Sequence, residues 1–394
     1  MNSGQIKELD KEYIMQTYGR FPAAVTRGDG ARVYDPEGRE YIDFSSGIGV
    51  TSVGYGNKKW IAAVTEQASR LPHISNLFYT EPSTVLAKRL CELSGLKKVF
   101  FSNSGAESNE GAIKLARKYG FDKYGAGRNR IVTLINSFHG RTISTLAATG
   151  QESFHNFFHP FTDGFDYVPA DDFEALKSAV SDKVCAVLIE LVQGEGGVNV
   201  LDKDYVRKVS ELCAEKDVLL IVDEVQTGIG RTGTFFCFQC YGIKPDIVTA
   251  AKGIAGGLPM GAVLAGEKTE NVLGAGTHAS TFGGNPICAA AANAVLDILE
   301  GGVLAEVTEK GEYIREKISE MKLPKVLGLR GLGLMIGVAV AENSHKSIVS
   351  KLVESGLLCI SAGKDAVRFL PPLTITCEEI DAGLEIFRGV LSEI

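Results

Sequence analysis

Residues 203–252 read KDYVRKVSELCAEKDVLLIVDEVQTGIGRTGTFFCFQCYGIKPDIVTAAK, and this stretch decides the fold. Lys203 to Lys216 space their apolar positions as a helix does, and Val218 to Val222 then form an unbroken apolar run ending on Asp223. A polar, Gly-rich loop follows, and a second β-branched run, Ile247 to Thr249, leads to Lys252. Apolar runs of four to eight residues suit strands buried on both faces, and their alternation with helices predicts a mostly parallel sheet.

Working outward, the same alternation recurs. Val99 to Phe101, Arg130 to Ile135 and Val184 to Ile189 read as strands; Glu107 to Tyr119 and Asp171 to Ser181 read as helices. Residues 26–44 alternate around a Pro-Glu-Gly turn at 36–38, which predicts an antiparallel piece. After Pro286 comes an Ala-rich helix, then strands near Val326 to Gly328, Leu334 to Val340 and Val367 to Phe369. The expected fold class is therefore α/β: a large domain over 49–285, a smaller α+β domain over 286–394, and a segment 1–48 packed with the smaller one.

The 394 residues are 45% hydrophobic with a net charge of -7. No basic run offers an electrostatic footprint for nucleic acid. The start MNSGQIKELDKEYIMQ has no signal-peptide core, and the uncharged stretch Asn271 to Leu296 is broken by Gly, Pro and Asn. A soluble, cytoplasmic protein without membrane contact is expected. Cys237 and Cys240 form the one C-x-x-C pair, and His155 with His159 lack a zinc helix's glutamate, so no metal is expected. Gly331 to Gly337 has the wrong spacing for a nucleotide loop and reads as the start of a strand, and 311–322 reads as an amphipathic helix.

Three places carry chemistry. Ser104-Gly105-Ala106 lies between a strand and a helix, where free N–H groups and the dipole favour phosphate; an ordinary Ser cap is the alternative. Asp223 ends a strand at the carboxyl edge of the sheet, where it can keep a heteroaromatic nitrogen protonated, or else cap a helix or pair with Arg231. Glu224 and Gln226 sit in the polar loop beside it. Lys252 is the only charged residue between Asp246 and Glu267, so burial would leave its amine neutral and able to form an imine.

Six ordered motifs then carry a resemblance: SNSGAESNEGAIKLAR (102–117), SFHGRT (137–142), VQGEGG (192–197), VDEVQTGIGRTG (222–233), AKGIAGGLPMGA (251–262) and STFGGNP (280–286). With TYGRFP at 17–22 and VRFLPPL at 367–373, the chain resembles the class III (subgroup II) pyridoxal 5′-phosphate (PLP) aminotransferases over nearly its whole length. The resemblance implies PLP-dependent transferase fold type I. Lys252 would be the Schiff-base lysine and Asp223 the partner of the pyridinium nitrogen. Ser104, Gly105, Ala106, Phe138, His139, Glu224, Val225 and Gln226 would surround the cofactor, with Phe138 stacked on the ring. Thr281, with Ser280, would reach across a homodimer. For substrates it implies Arg368 for the α-carboxylate of glutamate or 2-oxoglutarate and Glu195 as its switchable counter-ion. Arg141 would take the donor's distal carboxylate, with Tyr18 near it. The favoured amino donor is N-acetylornithine, ahead of ornithine, 4-aminobutyrate, putrescine and succinyl-diaminopimelate. An aminomutase is the rival of another class. Two departures from the family pattern stand at Gly54-Tyr55-Gly56-Asn57 and at Leu191.

Overall fold

The computed structural model describes residues 1–393. Its centre is a seven-stranded sheet in the order Lys98–Ser102, Gly261–Ala265, Ile247–Ala250, Leu219–Asp223, Val184–Ile189, Arg130–Leu134, Phe165–Val168. Every neighbouring pair is parallel except the two made by Gly261–Ala265, so six strands end on one edge. Side chains alternate across each strand. Leu219 and Ile221 pack with Ala112, Ile113 and Ala116 of the helix Gly105–Tyr124. Leu220 and Val222 pack on the opposite face with Val206, Val209 and Leu212 of the helix Lys203–Lys216. Cover on both faces is why these strands are apolar throughout.

Helix limits follow their caps. Ser104 Oγ accepts the Glu107 N–H at 3.2 Å, which starts the long helix two residues earlier than its apolar spacing predicts. Asp172 accepts the Ala175 N–H at 2.9 Å and confines the next expected helix to Phe173–Ala179.

Two smaller sheets flank this core. Arg27–Asp29, Arg32–Tyr34 and Glu40–Asp43 pair antiparallel, and Leu357–Leu358 joins them in parallel, bringing the start of the chain to its last quarter. The other sheet is antiparallel, in the order Gly328–Leu332, Met335–Ala339, Ala366–Phe369, Ile360–Ala362. Its first strand begins where the expected one, Val326 to Gly328, was to end, because Val326 donates back to the Leu323 carbonyl in a turn. Gly333 and Leu334 form the hairpin turn rather than the start of a strand: Gly333 has φ +52° and Leu334 N–H bonds the Arg231 carbonyl.

The helical run Pro286–Glu320 is long and apolar enough to cross a membrane. Its first part, Pro286–Ile298, packs instead on the helices Lys58–Arg70 and Glu81–Ser94, burying Ala289, Ala292, Val295 and Leu296. In its second part Val307, Gly311, Ile314 and Ile318 are buried along one face, leaving the charges of 311–322 outside.

Candidate active site

The loops after five parallel strands meet in a cleft of about 450 Å³ at the sheet's carboxyl edge. Asn103 to Ala106, Phe138 to Arg141, Glu190, Asp223, Val225, Gln226 and Lys252 line it. Lys252 follows the strand Ile247–Ala250 with φ +46°, an uncommon conformation for a side-chain-bearing residue. Burial outweighs the attraction of Glu195 and Asp223 and lowers the Lys252 amine below its ordinary value. Among the described residues, no hydrogen bond or ion pair occupies that amine. With no partner, and with its charged form disfavoured by burial, this amine is placed to act as a nucleophile.

Asp223, at the end of its strand, is held from three sides. Its Oδ2 accepts from Asn109 Nδ2 at 2.7 Å and His139 Nδ1 at 2.8 Å, and its Oδ1 from Val225 N–H at 3.0 Å. Arg231, the alternative partner, donates to the carbonyls of Leu334 and Pro371 and leaves Asp223 to the cleft. Asn109 is itself oriented, since its Oδ1 accepts from Thr249 Oγ1 at 2.8 Å and its amide also reaches the His139 carbonyl at 2.8 Å. The carboxylate therefore has one fixed direction. His139, although it borders the cleft, is 2% exposed, and its Nδ1 is taken up by Asp223.

Glu190 is a third carboxyl here. It is 6% exposed, and its Oε2 accepts the Phe138 N–H at 2.9 Å, fixing the turn that carries the Phe138 ring. Burial, then the nearby Asp223 charge, pushes its pKa well above the usual range. Glu224 departs from the expected cofactor shell. It is fully buried away from the cleft, accepting from Thr227 Oγ1 and from the N–H groups of Cys237 and Phe238. Burial pushes it up to about 7. Its side of the strand end faces the 237–241 turn, whose free N–H groups need an acceptor.

At the start of the helix Gly105–Tyr124, the Ser104 hydroxyl serves as the cap, while the leading N–H groups lack partners within the helix. A Cβ on Gly105 would lie 2.6 Å from Val225 Cγ1, so only glycine keeps this corner open. Free N–H groups at a helix start, an oriented carboxylate, an aromatic ring and a buried, unpartnered lysine in one cleft fit the phosphate, pyridine and aldehyde of PLP. Gly105 and Ala106 would take the phosphate, Asp223 the ring nitrogen, Phe138 and Val225 the ring faces, and Lys252 the aldehyde.

Arg368, on the strand Ala366–Phe369, approaches from the smaller sheet and is 2% exposed. Its Nη1 donates to Glu195 Oε1 at 2.8 Å, Gln226 Oε1 at 2.9 Å and the Gly194 carbonyl at 2.9 Å. Glu195 sits in the loop of a hairpin formed by Val192–Gln193 and Asn199–Val200. Burial alone would raise its pKa, but Arg368, Lys252 and Gln226 together hold it below the usual carboxylate range. Gln226 is thus taken up by Arg368 and Glu195 even as it borders the cleft. Arg141 lies over two rings, with its guanidinium carbon 4.1 Å from the Phe154 centroid and 5.6 Å from that of Phe138.

Three expected residues stand apart from the chain's own cleft. Tyr18 is 72% exposed, with the Arg20 guanidinium over its ring, and Asp10 of the helix Ser3–Tyr13 holds that arginine at 2.9 Å. Ser280 Oγ accepts from Asn103 Nδ2 at 3.1 Å and caps Gly283 N–H at 3.0 Å, while Thr281 points to the surface. Asn109, Glu190 and Thr249 were not anticipated. Glu190 ends a strand as Asp223 does, so the same reasoning could have found it; Asn109 reads as an ordinary polar helix residue.

The signature of the family Aminotransferase class-III matches residues 13–391. An acetylornithine aminotransferase of Haemophilus ducreyi is 53% identical, over 100% of both chains. Among solved structures, an ornithine aminotransferase of Toxoplasma gondii, with partial occupancy of PLP at its active site, aligns with a TM-score of 0.95 at 34% identity. That match covers 100% of this chain and 95% of the other. An acetylornithine aminotransferase of Elizabethkingia anophelis aligns with a TM-score of 0.89 at 32% identity, over 100% of both.

Proposed function

The chain belongs to the class-III aminotransferases, and from that premise we propose that it moves the terminal amino group of N-acetylornithine to 2-oxoglutarate. The products are N-acetylglutamate 5-semialdehyde and glutamate, a step of arginine biosynthesis. PLP is the cofactor, and when bound it withdraws electrons from the carbon bearing the transferred amine.

The observation that carries the donor class is the closed Arg368–Glu195 contact at 2.8 Å. A donor whose reacting carbon carries no carboxylate meets a neutralised Arg368 and fits the site as it stands. Glutamate, which carries one there, must displace Glu195 and take the guanidinium bidentately. Lys252 Nζ, whose charged form burial disfavours, would take the proton from the amine-bearing carbon and deliver it within the same half-reaction, and would run that transfer in reverse when the acceptor is processed. Asp223 keeps the ring nitrogen protonated, and Asn109 with His139 keeps Asp223 aimed. Glu190 holds the Phe138 turn, and burial beside Asp223 disfavours its ionised form. The Arg141 guanidinium receives the donor's carboxylate far from the reacting carbon.

We read the active unit as a homodimer. Leu77, Phe78, Tyr79 and Phe282 are exposed together, and Asn76 Nδ2 ties their two segments by donating to the carbonyls of Ser280 and Gly283. An apolar patch continuous with Ser280 and Thr281 fits a second copy whose site those residues complete. Eight free thiols suit a reducing cytoplasm.

A donor panel tests this reading. With 2-oxoglutarate as acceptor, kcat/KM is expected to be highest for N-acetylornithine. A preference for ornithine, 4-aminobutyrate, putrescine or succinyl-diaminopimelate overturns the assignment, and turnover without any keto acid would make the enzyme an aminomutase.

A further inference from the structure

We infer that Phe154 is a positioning residue for Arg141, and that through it Phe154 sets the affinity of the site for the donor's distal carboxylate. This rests on the reading above, in which Arg141 receives that carboxylate.

Among the described residues, no hydrogen bond or ion pair holds the Arg141 guanidinium. Two rings hold it instead, Phe154 at 4.1 Å and Phe138 at 5.6 Å. The rings themselves meet edge to face, 5.9 Å apart at 76°. A ring occupies the flat face of a guanidinium and leaves its edge free, and that edge carries the N–H groups that grip a carboxylate bidentately. An unpaired arginine on a surface would otherwise sample many rotamers, so stacking it in advance reduces the entropy lost when the substrate binds.

The backbone around Phe154 is built to deliver that ring. Gly150 N–H donates to Ser137 Oγ at 3.0 Å and Gln151 Nε2 to the Ser137 carbonyl at 3.0 Å. On the other side of Phe154, His155 Nε2 donates to the Leu146 carbonyl at 2.9 Å, and its ring packs 5.0 Å from Phe161. Residues 150–155 are thereby fastened at both ends to the stretch 137–146, in which Arg141 lies. Phe154 also borders the broad cleft that Glu195 enters, beside the site and outside the PLP cleft. Its effect should fall first on the donor's carboxylate, with Phe138 still held by the Glu190 bond to its N–H.

The test uses full-length, PLP-loaded protein carrying Phe154→Leu, Phe154→Met or Phe154→Tyr, with Arg141→Lys in parallel. The donors are N-acetylornithine and N-acetylputrescine, which is the same molecule without that carboxylate. Leu and Met should raise KM for N-acetylornithine about 3- to 10-fold, the span of a ring–cation contact, with kcat within about twofold. The KM for N-acetylputrescine should change at least about threefold less than that for N-acetylornithine, and Tyr should keep the KM of the unmodified protein. If Arg141→Lys raises KM but Leu and Met do not, or if both donors suffer equally, the role of Phe154 is wrong. If Arg141→Lys leaves KM unchanged, the carboxylate assignment to Arg141 fails first and the inference falls with it.

Discussion

Replacing Glu195 by Gln changes one charge in the closed contact while keeping an acceptor of the same shape, so it isolates the switching step. Arg368 is 2% exposed, and Glu195 Oε1 supplies the only anionic partner among its three acceptors. Gln would still accept from the charged guanidinium, so the change keeps the bond and removes the ion pair's Coulomb attraction, about 1 kcal/mol for charges 4 Å apart in bulk water and about 4 kcal/mol at an effective dielectric of 20. The carboxylate form therefore holds Arg368 shut by at least about 1.4 kcal/mol more than the amide would, a factor of about ten or more. Only an α-amino acid has to open the contact. Glu195→Gln should raise kcat/KM for glutamate about tenfold relative to that for N-acetylornithine. The assay is single-turnover conversion of the PLP-loaded enzyme with each donor separately, followed by visible absorbance across a range of concentrations. A ratio within about twofold of the unmodified protein would refute the reasoning, as would selective loss of the glutamate reaction.

Further outcomes follow from other parts of the site. Gly105→Ala places a Cβ 2.6 Å from Val225 Cγ1, so apoenzyme should bind PLP about 10- to 100-fold more weakly by fluorescence titration; an unchanged constant would remove Gly105 from the cradle. Mixing Lys252→Ala with Thr281→Ala subunits should recover about a quarter of full activity, since half the dimers are mixed and each then holds one intact site; no recovery would mean the sites are not shared. In apoenzyme the Lys252 amine titrates below its ordinary value, so its capture of free pyridoxal should rise with pH and level off below about 10.4, whereas surface lysines should continue to gain reactivity up to that value.

How much of this was visible beforehand depends on the length of chain over which a signal acts. Val184–Ile189 and Leu219–Asp223 announce themselves because a strand covered on both faces must be apolar at every position. Gly261–Ala265 passed unnoticed. It is buried throughout, yet its glycine and alanines carry no β-branched signature, and its reversed direction is set by partners 98 to 102 and 247 to 250. Lys252 was legible as a lone charge just after an apolar strand, and Asp223 as the carboxylate on which such a strand ends. Asn109 was not, because its purpose appears only when residue 223, 114 positions later, folds onto it. Glu224 misled for the opposite reason. It adjoins Asp223 in sequence, but consecutive residues leaving a strand point to opposite sides, and Glu224 turns to the N–H groups of Cys237 and Phe238. Phe154 belongs to a segment whose aromatic residues resemble plain loop packing until Arg141 is seen resting on one of them.

Central to the whole account is the claim that Lys252 is the residue that holds the cofactor. Borohydride reduction of the PLP-loaded protein followed by peptide mass mapping tests it most directly. The account predicts one modified peptide, bearing the reduced cofactor on Lys252, and none in Lys252→Ala protein. A stoichiometric adduct on any other lysine, or unreduced turnover by Lys252→Ala, would contradict it.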